Sequence, residues 1–249
     1  MDLHDREKQW LLNEKYNGIT SPEYQDDLVL LNTNCPVDYL IGYREFLGCH
    51  IDLSRQPLIP RNETEFWVKH TIDNHTGQTC VLDMCAGSGC IGIAILKHIP
   101  DSQVDFAEIN PSFTEQIQHN LNVNKIDGSR YHVYHSDLFT ELPRKQYDLI
   151  LSNPPYIAPE RQNTVQESVH NHEDHASLYS QDDGLEHIKR IIEALPQYLS
   201  SAGTCYIEFD PHQVPLLDEY LAMQELFTHS YMNDQYNKPR VLVLNYKHS

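Results

Sequence analysis

From residue 80 to the end of the chain, short apolar runs alternate with stretches of helical period, and no other feature limits the fold as tightly. Runs at 80–84, 104–109, 131–134, 147–152 and 204–209 read as strands, and 227–231 and 240–245 add two more. Between them, Phe113, Ile117 and Leu121 recur every fourth position over 111–122, which is one face of a 3.6-residue period. Ile188, Ile191, Ile192 and Leu195 mark a second such face over 185–199, and helices are also expected over 87–99 and 214–226. Strands that alternate with helices build a mostly parallel sheet covered on both faces. Right-handed crossovers then gather the C-terminal ends of the parallel strands on one edge, where such sheets bind ligands.

The first third lacks this rhythm. Helices are expected over 4–17 and 21–31, the second opened by Ser21 as cap and Pro22 in the first turn. Residues 46–53 alternate like a hairpin strand, Pro57 and Pro60 break regularity, and 63–72 reads as a helix. The chain thus divides into a short helical domain over 1–35, a hairpin-and-helix linker over 36–72 and a larger domain over 73–249. Residues 157–183, rich in Gln, Asn, His and Asp, form a polar segment long enough to suggest a functional loop.

Composition excludes several classes. A formal charge of −18, with the 18 Lys and Arg scattered, repels phosphate backbones and argues against stable nucleic-acid binding. No run approaches the roughly 18 apolar residues of a membrane span. The acidic start, Met1-Asp2-Leu3-His4-Asp5, is unlike a targeting peptide. Six cysteines without a C-x-x-C pair fit reduced thiols in a cytoplasmic protein. His170, His172 and His175 are grouped, but no Cys or downstream His pair completes a metal-ligand pattern, so no metal is expected.

Two motifs carry chemistry. Asp83-Met84-Cys85-Ala86-Gly87-Ser88-Gly89 joins the first strand of the alternating region to its helix. Small residues there let backbone approach a ligand, and the helix N-terminus beyond offers unpaired N–H groups. Glu108 closes the next strand, where a carboxylate accepts from ribose hydroxyls. A nucleoside-containing cofactor follows. Gly87-x-Gly89-x-x-Gly92 also fits a nicotinamide dinucleotide; Asp83, four residues before the first of these glycines, leans toward S-adenosylmethionine.

The second motif, Asn153-Pro154-Pro155-Tyr156, ends the fourth strand. Its prolines fix their own φ, restrict the residue before them and lack N–H groups, so the turn is a stiff frame of acceptors. Such a frame suits a planar –NH2 group. An amide nitrogen is a poor nucleophile because its lone pair is delocalised into the carbonyl. The Asn153 side-chain oxygen and the Pro154 carbonyl are expected to accept its two hydrogens, with Tyr156 stacked on the amide plane, so that positioning supplies most of the rate.

Asn-Pro-Pro-Tyr behind a glycine-rich turn resembles the class I methyltransferases that act on exocyclic or amide nitrogen, among them DNA adenine methyltransferases and the HemK/PrmC family. Tyr39 to Gly48 and Pro57 to Glu65 resemble the Y-x-x-G-x-x-E-F and L-I-P-R-x-x-T-E signatures of the latter, over roughly residues 35 to 245. The resemblance implies a Rossmann-like class I methyltransferase with a seven-stranded, mostly parallel sheet, and transfer of a methyl group from S-adenosylmethionine to glutamine N5 in the Gly-Gly-Gln loop of a peptide chain release factor. Carried over by position, Cys85, Ala86, Gly87, Ser88 and Gly89 form the cofactor turn, Glu108 takes the ribose and Leu138 lies at the adenine. Asn153 bridges cofactor and substrate, and Asn153, Pro154, Pro155 and Tyr156 hold the glutamine. Cys85 stands where the family has its first glycine, Glu108 where it has Asp, Leu138 where it often has an aromatic, and Glu173-Asp174 where it has Glu-Pro. Four other readings stand beside this one: a ribosomal protein glutamine methyltransferase, a DNA adenine N6-methyltransferase, a non-catalytic binder of a translation factor, and a nicotinamide-dependent enzyme, for which no hydride-relay residue is identifiable.

Overall fold

The computed structural model describes residues 3–77, 79–164 and 166–247; Met1 and Asp2 of the acidic start lie outside them. Helices α1 (Leu3–Tyr16) and α2 (Pro22–Leu31) pack with the short α3 (Val37–Ile41). Their small core of Leu11, Tyr24, Leu31, Val37, Leu40 and Ile41 runs past residue 35. Ser21 caps α2 as expected, its Oγ accepting from Tyr24 N at 3.2 Å. Gly42 ends α3 at φ +94°, a left-handed conformation that glycine adopts without cost.

Strands β1 (Tyr43–Phe46) and β2 (Cys49–Asp52) form an antiparallel hairpin, followed by α4 (Asn62–Asn74). This stretch packs against the sheet: Phe46, Ile51, Leu53, Trp67 and Val68 are buried in one cluster with Ile93, Phe106 and Ile117. Asn120 and Asn124 stitch the hairpin down, Oδ1 of each accepting from Asp52 N and His50 N at 2.9 and 3.0 Å.

The alternating region supplies β3 (Cys80–Met84), α5 (Cys90–His98), β4 (Gln103–Glu108), α6 (Pro111–Val123), β5 (Tyr131–His135), β6 (Tyr147–Ser152), α7 (Glu167–His172), α8 (Glu186–Tyr198), β7 (Leu199–Glu208), α9 (Val214–Ala222), β8 (Phe227–Asn233) and β9 (Pro239–Tyr246). The seven-stranded sheet has the order β5-β4-β3-β6-β7-β9-β8, parallel from β5 through β7 and antiparallel at β9 and β8. It is the Rossmann-like, seven-stranded, mostly parallel sheet that the resemblance implies. The chain runs outward from β3 to β5 and returns to β6 on the other side of β3, so the switch point lies between β3 and β6. Both motifs follow these two strands. One apolar cluster covers each face of the sheet.

Helix α5 starts at Cys90 rather than residue 87, because Gly87 and Gly89 are left-handed at φ +55° and +79°. Strand β7 starts at Leu199, five residues before 204, through an irregular pairing with β6 between Tyr147 and Leu149. The polar stretch 157–183 is built from 3-10 turns at Pro159–Thr164 and His175–Ser177, helix α7, and a bridge between Ile157 and Tyr179. Among the described residues, no helix is long and apolar enough to cross a membrane.

Candidate active site

Strand β3 ends in a turn that its own backbone closes. Ala86 N donates to Ala107 O at 3.1 Å, and Gly89 N to Ala86 O at 2.7 Å. Glu108, at the end of β4, accepts from Gly87 N at 2.8 Å and from Asn110 N at 2.8 Å. Each backbone bond uses one lone pair of the carboxylate, and further lone pairs stay available on both oxygens. Burial pushes the Glu108 carboxyl above its ordinary range, against the pull of these bonds. Cys85 is left-handed at φ +58°, so a side chain stands where glycine would adopt the same backbone about 1–2 kcal/mol more cheaply. Gly92 serves packing: a Cβ there would come within 2.3 Å of the Phe106 ring.

The turn opens onto a cleft. Of the expected residues, Cys85, Ala86, Gly87, Ser88, Glu108, Leu138, Asn153 and Pro155 line it. Leu138, left-handed at φ +50°, is held by Ser136, whose hydroxyl donates to its carbonyl at 2.7 Å. Asp83 and Gly89 are not on the wall. Asp83 is fully buried beneath the turn, its Oδ2 accepting from Gly92 N at 2.8 Å and its Oδ1 without a hydrogen-bond partner among the described residues. Burial and then the nearby Glu108 charge push its carboxyl well above the usual range.

A second cleft is lined by Pro154, Tyr156, Ile157, Arg161 and His212. Leu58, Arg61, Asn153 and Ser177 line both clefts. The diproline corner is therefore a wall between two chambers, with Asn153 facing each. Asn153 Nδ2 donates to Thr64 Oγ1 at 3.3 Å, which leaves Oδ1 with no hydrogen bond among the described residues. The Pro154 carbonyl is likewise uncommitted among them. Tyr156 is anchored at both ends: its hydroxyl donates to Glu208 at 3.3 Å and its carbonyl accepts from Gln213 at 3.0 Å. Burial, then the Glu208 charge, raises the Tyr156 hydroxyl.

Motif reading missed Thr64, Arg61, Ser177, Asp137 and Glu208. Thr64 and Arg61 sit in the Pro57 to Glu65 stretch that carries the family signature, and Glu208 closes β7 as Glu108 closes β4, so an acid ending a buried strand was the available signal. Arg61 Nη2 donates to both oxygens of Glu173 at 2.8 and 2.7 Å, which ties the polar segment to the start of α4.

The first chamber fits a nucleoside sulfonium. Glu108 has lone pairs for ribose hydroxyls, Leu138 and Ile109 offer apolar wall, and the three carboxyl groups of Glu108, Asp137 and Asp174 outnumber the one guanidinium of Arg61 on the lining, which favours a cationic guest.

Comparison with known proteins agrees. The methyltransferase small domain model matches residues 62–177. A release factor glutamine methyltransferase of Streptococcus pneumoniae is 34% identical over 215 residues, 84% of this chain and 75% of that protein. A ribosomal protein uL3 glutamine methyltransferase of Francisella tularensis is 31% identical over 191 residues, 74% of this chain and 59% of that protein. The chain thus spans three-quarters of the first relative and under two-thirds of the second. A solved methyltransferase structure from Pyrococcus furiosus, 13% identical, has a TM-score of 0.62 and covers 90% of this chain and 99% of that one, a likeness of fold.

Proposed function

The chain belongs to the release factor glutamine methyltransferase family, and from that premise we propose that it methylates the side-chain amide of the glutamine in the Gly-Gly-Gln loop of a peptide chain release factor. The cofactor is S-adenosylmethionine, which supplies an electrophilic methyl on a positively charged sulfur. Glu108 would hold the ribose, Leu138 the adenine face, and the backbone of Cys85 to Ser88 the amino acid portion. The glutamine amide would enter from the second chamber.

There the two N–H hydrogens would be accepted by Asn153 Oδ1 and the Pro154 carbonyl. Fixing both hydrogens turns the nitrogen lone pair toward the first chamber. The cofactor held by Glu108, Leu138 and the turn would supply the activated methyl to the nitrogen so aimed, and would leave as the neutral thioether. The amide nitrogen then sheds a proton to water. No strong base is required, because the methyl is already activated; orientation carries the rate.

One observation carries this reading: Asn153 lies on the wall of both chambers with its Nδ2 engaged and its Oδ1 uncommitted. Mass spectrometry of release factor incubated with enzyme and cofactor tests it, and one added methyl on the Gly-Gly-Gln peptide is expected. Asn153→Ala should lower kcat by about 100-fold or more without changing the unfolding temperature. Full activity in that variant would remove Asn153 from the mechanism. The Francisella tularensis relative favours a second substrate, ribosomal protein uL3, so the same assay includes that protein. The partner is a protein rather than DNA because the acidic chain repels phosphates. The cytoplasmic setting rests on six cysteines that are all free.

A further inference from the structure

Glu208 lies 144 residues from Thr64 in sequence, and its carboxylate meets Thr64, Trp67 and Tyr156 beneath the diproline corner. It is 1% exposed, at the end of β7. Oε2 accepts from Thr64 Oγ1 at 2.7 Å and from Trp67 Nε1 at 2.8 Å; Oε1 accepts from Tyr156 at 3.3 Å. The indole N–H is only a donor, so one oxygen of the carboxylate must act as acceptor there.

The consequence passes outward through Thr64. A hydroxyl has one hydrogen. With that hydrogen given to Glu208, the Thr64 oxygen faces Asn153 only as an acceptor. Asn153 can meet it only with Nδ2, as observed at 3.3 Å. The carboxamide is thereby turned so that Oδ1, not Nδ2, is left for the substrate. The opposite rotamer would present two hydrogens to an amide that already carries two.

Resting on the reading above, we propose that Glu208 is a positioning residue that sets the hydrogen-bond polarity of the corner: through Thr64 it fixes the Asn153 carboxamide with its oxygen toward the glutamine amide, and through Tyr156 it fixes the ring. Arg240 supplies positive charge close to this carboxylate and is itself paired with Asp234 at 3.3 Å. Burial raises the Glu208 carboxyl, while the bonds from Thr64 and Trp67 and the Arg240 charge favour its ionised form.

The test uses four variants of the full chain. Glu208→Gln keeps the shape but brings an NH2 group that competes with the Thr64 hydroxyl as donor. Thr64→Val keeps the volume and removes the relay. Thr64→Ser keeps the relay. The fourth combines Glu208→Gln with Thr64→Val. The expected result is a fall in kcat of about tenfold or more in Glu208→Gln and in Thr64→Val, with KM for release factor and cofactor affinity within about twofold. Thr64→Ser should stay within about threefold, and the double variant should be no worse than the worse single one, because both act through one relay. A loss in KM or cofactor affinity instead of kcat, additive losses, or an equal loss in Thr64→Ser would overturn the proposal. A second readout needs no substrate. The Asn153 side-chain amide resonances, assigned by their disappearance in Asn153→Ala, should shift and exchange faster with water in Glu208→Gln. An unchanged signal would overturn the proposal whatever the substrate is. An inactive wild type with the expected amide shift would instead refute the release factor reading alone.

Discussion

Glu108 must hold its own loop and a ligand at once. Its two backbone bonds, from Gly87 and Asn110, fix the carboxylate at the mouth of the first chamber, where ribose hydroxyls would donate to it. A carboxyl raised on folding takes up a proton more readily folded than unfolded. By itself this group therefore adds stability as pH falls, and that gain is lost as pH rises through its folded value. Cofactor affinity should move the opposite way, because the ionised carboxylate is the stronger acceptor. S-adenosylmethionine affinity, measured calorimetrically, is expected to weaken as pH drops through the raised value, and Glu108→Gln should flatten that dependence. A wild-type profile as flat as the variant's would mean that Glu108 acts only on its own loop, through Gly87 and Asn110. Glu108 and Asn153 were legible from sequence because each is tied to a local motif with a backbone reason. Asp83 was legible only as an acid before the glycines; its place beneath the turn, bonded to Gly92 N, follows from the strand pairing of β3. Glu208 and Thr64 were not legible as partners, since only the finished sheet brings residues 144 apart within 2.7 Å.

Among the elements, those with a strong period were readable and those held by single contacts were not. The apolar stripe of α6 and the buried run of β6 announce themselves, whereas α3 has five residues and α7 six, too few to show a period. Likewise the sequence showed the polar segment between β6 and α8 but not its fastening. Arg61 and Glu173 are that fastening: the Glu173 carboxylate is fully buried, and the Arg61 side chain is 32% exposed. Burial raises Glu173 and the Arg61 charge opposes that rise. Removing Arg61 would leave a carboxylate buried without its counter-ion. Arg61→Ala is expected to destabilise by about 1–3 kcal/mol, below the range for fully buried pairs because Arg61 is partly solvated. The loss should be local. Amide hydrogen exchange within 157–183 should accelerate well before that of β3 or β6. Uniform acceleration across the sheet would show instead that the segment unfolds only with the whole domain. Because Arg61 lines both chambers, activity should fall in the same variant, with the larger effect on KM for release factor.

At the scale of the whole molecule, 36 acidic residues against 18 basic ones leave a net charge of −18 that no single motif explains. Such a charge opposes association with polyanions and favours encounter with a surface of opposite sign. Its range is set by salt: the Debye length is about 10 Å at 0.1 M and about 3 Å at 1 M. The clefts are partly walled by the fold and are screened less than the outer surface. Salt should therefore separate docking from chemistry. Raising ionic strength from about 0.05 to about 0.5 M is expected to raise KM for intact release factor several-fold while kcat at saturation changes little. A short peptide containing Gly-Gly-Gln, which reaches only the second chamber, should show a much smaller rise. A DNA oligonucleotide should fail to compete even at the lowest salt. Parallel salt curves for protein and peptide would confine recognition to the chamber and leave the surface charge to solubility. A steep curve for the protein alone would place part of the binding energy outside the site, on the outer surface of an acidic chain.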